Sequence, residues 1–503
     1  MSLIILLSLL GIATYFIVKR SVAGITTTPI WLLWLVMMAP PFVWTGWILA
    51  YGRNRPMPAF LLIGVFFASL IVYTFLIQKG RVLPKGNANE TTNNSKTPET
   101  AKTADAEASK VRPINKEEEA QLRDCFPWSV YYLQDVEYHP QAVICRGHLR
   151  TKSEEAYRTI RNNIEAKFGD RFLVIFQDSF TDQPFFALVP NPQAHPDAKR
   201  LNNDLYRPGL ALALLLITLF TTTVIGTEIA GVTIKALQSN PSLLIKGLPY
   251  SLALMTILGI HEMGHYLIAK RYKILTTLPY FIPIPFFLGT FGAFIQMRSP
   301  VPNRKALFDV GIAGPLAGFI VTLPLLFWGL AHSSVVPLPE KTGILQFDAL
   351  IPTFSILLAV LSKLAIGSEL TAKSAIDLHP VAVAGYIGLI VTALNLMPVG
   401  QLDGGHIVHA MFGQRKAAAI GQLARLLLLF VSLMPILFQI TLIPRDFLLW
   451  ALFLFLMPVF DEPALNDVTE LDNKRDLFGL LSLALLLLII LPAPKLLMQL
   501  LNL

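Results

Sequence analysis

The sequence predicts an α-helical polytopic membrane protein of about ten spans, carrying a small cytoplasmic α+β domain and a membrane-embedded β-hairpin. Three observations lead there. Of 503 residues, 54% are hydrophobic and only 15% charged, which is too apolar for a string of soluble domains. Charged side chains crowd between Lys79 and Arg207, one polar island in an otherwise apolar chain. Between Phe281 and Arg298, prolines and glycines interrupt the helical pattern. The net charge of +8 flanks apolar runs and forms no continuous basic face, so nucleic-acid binding is not indicated.

The first apolar stretch runs from Leu3 to Lys19-Arg20 without a small-residue cleavage site, and is expected to be a retained helix, not a signal peptide. Further runs of spanning length lie at 29 to 51, 58 to 78, 208 to 230, 247 to 270, 306 to 330, 380 to 398, 417 to 440, 443 to 460 and 477 to 493. Basic clusters at Lys79 to Lys85, Lys199 to Arg207, Lys270 to Lys273, Arg298 to Lys305 and Arg415-Lys416 mark alternate ends. The positive-inside rule turns those ends to the cytoplasm and leaves the N-terminus outside, with Arg53 and Arg55 as the exceptions. Ile351 to Gly367 is apolar but short and broken by Lys363, and fits a re-entrant or surface helix. The resulting division is 1–78, a three-span region; 79–112, a flexible linker; 113–206, the soluble domain; 207–412, a core; and 413–503, C-terminal spans.

Within the island, Gly86 to Val111 is rich in Asn, Thr, Ser, Lys, Ala and Glu and has almost nothing to bury, as a tether does. Beyond it, Lys116 to Arg123 and Glu154 to Lys167 read as helices, and Val130 to Glu137, Ala142 to Leu149, Arg171 to Gln177 and Pro184 to Val189 as strands. This domain shows no catalytic constellation; a regulatory or substrate-selecting role is expected of it. Cys125 and Cys145 lack CxxC pairing and read as buried reduced thiols.

Chemistry concentrates in the 247 to 270 run, where His261, Glu262 and His265 spell HEMGH. Ionisable groups in an apolar helix are expensive and call for a function. Two histidines four apart share a helix face and can hold one Zn²⁺, and the glutamate beside the first can act on water. By helical rise the metal would sit roughly 14 Å from the Lys270 end, inside the bilayer and nearer the cytoplasm. A third ligand is needed. Asp403 follows the broken stretch Asn395 to Gly405, where Pro398 removes a donor and glycines allow a sharp path. His406, three residues on, is a rival ligand; with Asp403 preferred, His406 and His409 read as groups that back the ligands or lie at the cytoplasmic rim.

HExxH in one span and NxxPxxxLDG, read from Asn395 to Gly404, in a later one together resemble the site-2 protease family of intramembrane zinc metalloproteases. The resemblance covers about 247 to 412. Gly404-Gly405-His406 and the stretch from His379 to Gly388 look like the cyanobacterial and chloroplast branch, the ethylene-dependent gravitropism-deficient and yellow-green-like proteases. The resemblance implies one zinc ion on His261, His265 and Asp403, Glu262 as general base, and Asn395 engaging the substrate backbone. It implies a membrane-protein substrate cleaved in or near a transmembrane helix within the lipid bilayer. The loop from His332 to Leu378 is too short for the PDZ domain of another branch. Phe281 to Arg298 resembles the family's re-entrant β element, whose edge could pair with an extended substrate. Gly311, Gly314 and Gly318 read as helix-packing positions, and the Leu-rich helices after 417, where Arg425 is the exceptional charge, as scaffold or gate.

Two rivals stand beside the protease: a metal-ion transporter using the same ligands, and a catalytically idle membrane scaffold. The short lead before the first span favours a bacterial source, hence a cyanobacterial cell or thylakoid membrane. The sequence carries no signal for oligomeric state.

Overall fold

A computed structural model describes residues 28–51, 114–139, 142–178, 183–191, 207–285, 288–338, 347–437 and 447–503, with isolated positions elsewhere. The chain divides into two compact units, Met1–Thr100 and Ala101–Leu503.

In the first unit, α1 (Ile30–Met37) and α2 (Ala39–Tyr51) are bent by 50° where a single span is expected from the sequence. Pro40 and Pro41 in the first turn of α2 have no N–H to carry the hydrogen-bond ladder back into α1. The expected spans from Leu3 and at 58 to 78 fall largely outside the described residues, as does the tether.

The second unit opens with the α+β domain. Its first helix, α3 (Lys116–Asp124), starts where the Glu118 carboxylate accepts the Asn115 N–H at 2.9 Å. Strands β1 (Tyr131–His139) and β2 (Ala142–Leu149), helix α4 (Ser153–Phe168), and strands β3 (Phe172–Asp178) and β4 (Pro184–Pro190) follow. The sheet is antiparallel in the order β1-β2-β4-β3. Period-two alternation turns Val143 and Cys145 of β2 and Phe172, Val174 and Phe176 of β3 inward. Helix α4 buries Ala156, Tyr157, Ile160 and Ile164 along one stripe. Phe176 and Phe186 stack at 4.2 Å in the middle of this core.

Both cysteines are buried there with free thiols. Burial pushes the Cys145 thiol up to about 12 and raises that of Cys125. At pH 7.5 the thiolate fraction of Cys145 is then roughly 10⁻⁴ or less. Maleimide is accordingly expected to leave both thiols unlabelled in the folded chain and to label both in denaturant. Rapid labelling of the folded chain would contradict the burial.

The remaining elements are α5 (Pro208–Ile229), α6 (Ile234–Ser239), α7 (Leu248–Arg271), β5 (Tyr280–Pro283), β6 (Thr290–Phe294), α8 (Arg304–Ala331), β7 (Ser334–Pro337), α9 (Ile356–Ile366), β8 (Ser374–Asp377), α10 (Pro380–Leu396), α11 (Asp403–Phe412), α12 (Gln414–Leu437), α13 (Phe447–Leu456), α14 (Asn473–Ile490) and α15 (Lys495–Leu501). Among the described residues four helices are long and apolar enough to cross a membrane, or up to six if each bent pair is one span. Of the expected run at 443 to 460, residues 443–446 lie outside the described residues, and the described part holds α13 up to Leu456, ahead of Met457-Pro458. The eleven residues of α9 are too few to cross.

Helix α8 is the centre of the bundle because glycines bring its neighbours to backbone contact. A Cβ on Gly264 of α7 would stand 2.6 Å from the Ala313 carbonyl oxygen, and one on Gly329 of α8 would stand 2.3 Å from the Ala382 nitrogen of α10. Such approach replaces side-chain interdigitation with direct backbone packing, the usual device where lipid supplies no hydrophobic drive.

Candidate metal centre

His261, Glu262 and His265 lie in the last three turns of α7 and are buried. Helical spacing sets both imidazoles on the face that meets α8. His265 Nδ1 donates to the Val310 carbonyl of α8 at 2.7 Å, which fixes the ring and leaves Nε2 to face the site. The pocket for that ring is made by absence: a Cβ at Gly314 would sit 2.0 Å from His265 Nε2, and one at Gly318 would sit 3.2 Å from His261 Nδ1. Of the glycine stripe expected to serve packing, Gly314 and Gly318 pack against the pair of histidines and Gly311 against His406 of α11.

Asp403 arrives from the other half of the core. Helix α10 ends at Leu396, one residue after Asn395, and the chain crosses Met397 to Leu402 before α11 begins at Asp403. Gly400, at φ +52°, takes the left-handed turn this path requires, where a Cβ would also meet the Pro458 carbonyl at 2.0 Å. Gly404 fits directly against the Leu396 carbonyl, its imagined Cβ only 2.0 Å away. The motif's glycines therefore fold the chain tightly enough to present the aspartate at the first helical position.

The three side chains converge. His265 Nε2 lies 3.2 Å from His261 Nε2, and Asp403 Oδ2 lies 3.4 Å from His261 Nε2 and 3.3 Å from His265 Nε2. Zinc bonds of about 2.0–2.1 Å at tetrahedral angles place neighbouring donors about 3.3–3.4 Å apart. The spacing and the His₂-carboxylate donor set thus fit a catalytic zinc with one position left open. Among the described residues no second trio of such side chains is so placed.

Around this trio, Asn395 Nδ2 is 3.0 Å from His261 Nε2, which puts the asparagine in the site. Glu262 faces the backbone N–H of Ile295, just past β6. His406 points elsewhere: its Nδ1 is 2.9 Å from Asp461 Oδ2, and it is not part of the converging group. His409 is fully buried between Asp461 and Asp467. The two aspartates escape sequence reading because they lie in a polar stretch between apolar runs, where carboxylates are ordinary.

The hairpin flanks the site. Strands β5 and β6 pair antiparallel, Tyr280 with Phe294 and Phe281 with Ala293. Within the expected hairpin region, β6 ends at Phe294, and a separate bridge joins Thr276 to Met297. Its turn is held from two sides: Thr221 of α5 donates to the Gly289 carbonyl at 2.7 Å, and Tyr250 of α7 donates to the Leu288 carbonyl at 3.0 Å. Phe291 remains 69% exposed, and the sheet has no third strand among the described residues.

The chain is similar to known proteins. Residues 249–438 match peptidase family M50, and residues 120–196 match the EGY3 middle domain. The chain is 30% identical over 381 residues to "Probable zinc metalloprotease EGY2, chloroplastic" of Arabidopsis thaliana, covering 73% of this chain and 63% of that protein. It is 27% identical over 380 residues to "Probable zinc metalloprotease EGY1, chloroplastic" of the same plant, covering 70% and 66%. Against "Probable zinc metalloprotease EGY3, chloroplastic" of Oryza sativa subsp. indica it is 27% identical over 384 residues, covering 74% and 63%. The chain thus spans slightly less than two thirds of these relatives, and no solved structure matches it. Residues 249–438 carry a match to peptidase family M50, and the chain is similar over 70–74% of its length to these EGY-type zinc metalloproteases.

Proposed function

We propose that this chain is an intramembrane zinc metalloprotease that hydrolyses a peptide bond in or near a transmembrane helix of a membrane-protein substrate. The observation that carries the reading is the set of three donor atoms at tetrahedral spacing, from two separate helices, with a glutamate beside the first.

His261, His265 and Asp403 would hold the ion. Zinc bound there supplies Lewis acidity, which makes water a usable nucleophile near neutral pH and polarises a carbonyl. Glu262 accepts the proton of the attacking water and later delivers it to the leaving amine. Asn395, on the same wall, orients the substrate backbone. The free edge of β6 holds the peptide extended, because a helical peptide bond is shielded by its own hydrogen bonds and side chains. Water enters along the broken segment from Asn395 to Gly405, which is tolerated at membrane depth only because protein and a wet path surround it. The ten-span arrangement, a regulatory α+β domain on the cytoplasmic side, and a cyanobacterial cell or thylakoid membrane belong to the same reading. Alternating basic clusters and the chloroplastic names of the relatives support it.

Metal analysis tests this directly. Purified chain loaded with zinc is expected to retain about one ion, and Asp403→Ala to lose it, since removing one of three protein ligands typically weakens such sites beyond purification. Equal zinc in both preparations would remove Asp403 from the ligand set.

A further inference from the structure

Outside the metal centre, a cluster of buried ionisable groups joins helix α11 to the segment between α13 and α14. Asp461 Oδ2 lies 2.9 Å from His406 Nδ1 and 2.7 Å from His409 Nδ1, and Asp467 Oδ1 lies 2.9 Å from His409 Nε2. Both ring nitrogens of a fully buried histidine therefore face carboxylates, an arrangement that satisfies both only when both donate. Charge-assisted bonds of this kind are short and directional. They fix the ring, and with it the helix that carries it.

The same segment also belongs to the α+β domain. Phe176 N–H on edge strand β3 donates to the Leu465 carbonyl at 2.7 Å, and Asp467 N–H donates back to the Phe176 carbonyl at 2.9 Å. Leu465 and Val468 pack against the core of that domain. On its other side, Leu465 N–H donates to Val301 at 2.9 Å and Asn466 N–H to Pro302 at 3.1 Å, just ahead of α8. Residues 461–468 are thus a strap clamped between the domain and the core, with its carboxylates gripping α11.

Helix α11 begins with Asp403, three residues before His406 and six before His409. The helix also rests on α8, where a Cβ at Gly311 would stand 3.0 Å from His406 Cβ. A helix of ten residues moves as a rigid rod, so what seats its histidines also seats its first carboxylate. We infer that Asp461 and Asp467, acting through His406 and His409, are positioning residues that hold Asp403 at the metal centre, and that the docked α+β domain keeps their strap in place. The inference rests on the metalloprotease reading above.

The test uses the full chain in detergent micelles, with zinc affinity measured by chelator competition and the ligand field by the visible bands of the cobalt-substituted protein. Asp467→Asn removes a charge with little change of shape, and Leu465→Asp breaks the strap's seat in the domain without touching α11. Each is expected to raise the zinc Kd about 10–100-fold at full stoichiometry and to shift the cobalt bands, the range found when partners that orient ligands are lost. Leu465→Met should restore the unaltered value. A role in folding alone would lower the number of sites at saturation and leave Kd and spectrum unchanged; that result overturns the inference. Should Leu465→Asp fail to fold, Leu465→Ala decides by the same two measurements. A wild-type chain that binds no zinc would instead overturn the metalloprotease reading, which the wild-type titration reports before any variant is compared.

Discussion

Glu262→Gln is expected to abolish cleavage of a single-span model substrate while zinc content stays at that of the unaltered chain. The change keeps the shape of the side chain and removes only its ability to take a proton, and loss of a general base costs about 10²–10⁴-fold. His261 and His265 are untouched, so the metal stays. Cleavage assays on reconstituted protein, paired with metal analysis of the same preparation, give a clear division. A transporter would retain metal flux, and an idle scaffold would show no cleavage in either form. Undiminished cleavage by the variant would remove Glu262 from the mechanism.

Gly314→Ala is expected to empty the metal centre without touching a ligand. Its Cβ would lie 2.0 Å from His265 Nε2, with further ring atoms at 2.4 and 2.5 Å, so the imidazole has to leave its place. Because that ring is fixed by its bond to Val310, it has no neighbouring position that keeps both contacts. A zinc Kd raised by more than about 100-fold is the expected result, since displacing a ligand exceeds the 10–100-fold of losing a ligand's partner. The helix itself gains about 1 kcal/mol of intrinsic propensity from glycine to alanine, so retained helix content would set the effect apart from unfolding. Gly318→Ala is the control: its Cβ would stand 3.2 Å from His261, a contact that small adjustments relieve. Equal zinc binding by Gly314→Ala and the unaltered chain would show that α8 does not shape the site.

These effects separate what was legible in the sequence from what was not. HExxH is a local signal, since four residues of helix bring two histidines to one face without help from elsewhere. Asp403 was legible because aspartate after a proline-broken apolar run is costly wherever it is placed. In the α+β domain, amphipathic periods gave both helices and all four strands to within about two residues, because burial there follows one sheet and one helix face. Spans were harder. Pro40-Pro41 breaks a run that composition joins. Least legible was the strap, whose Asp461 and Asp467 look like loop carboxylates until the fold places His409 between them. Likewise, the glycines of α8 could be read as small, but not as facing the histidines. Both depend on long-range neighbours, which local patterns do not encode.

The fastening of the β5–β6 turn to α5 and α7 has a consequence for encounter. With Leu288 and Gly289 tied to two neighbouring helices, this ribbon has surrendered freedom during folding, so a visiting chain meets a surface that has little left to lose. Nearly all the ordering at that meeting then falls on the visitor, and discrimination among visitors would follow how readily each lets go of its own coil.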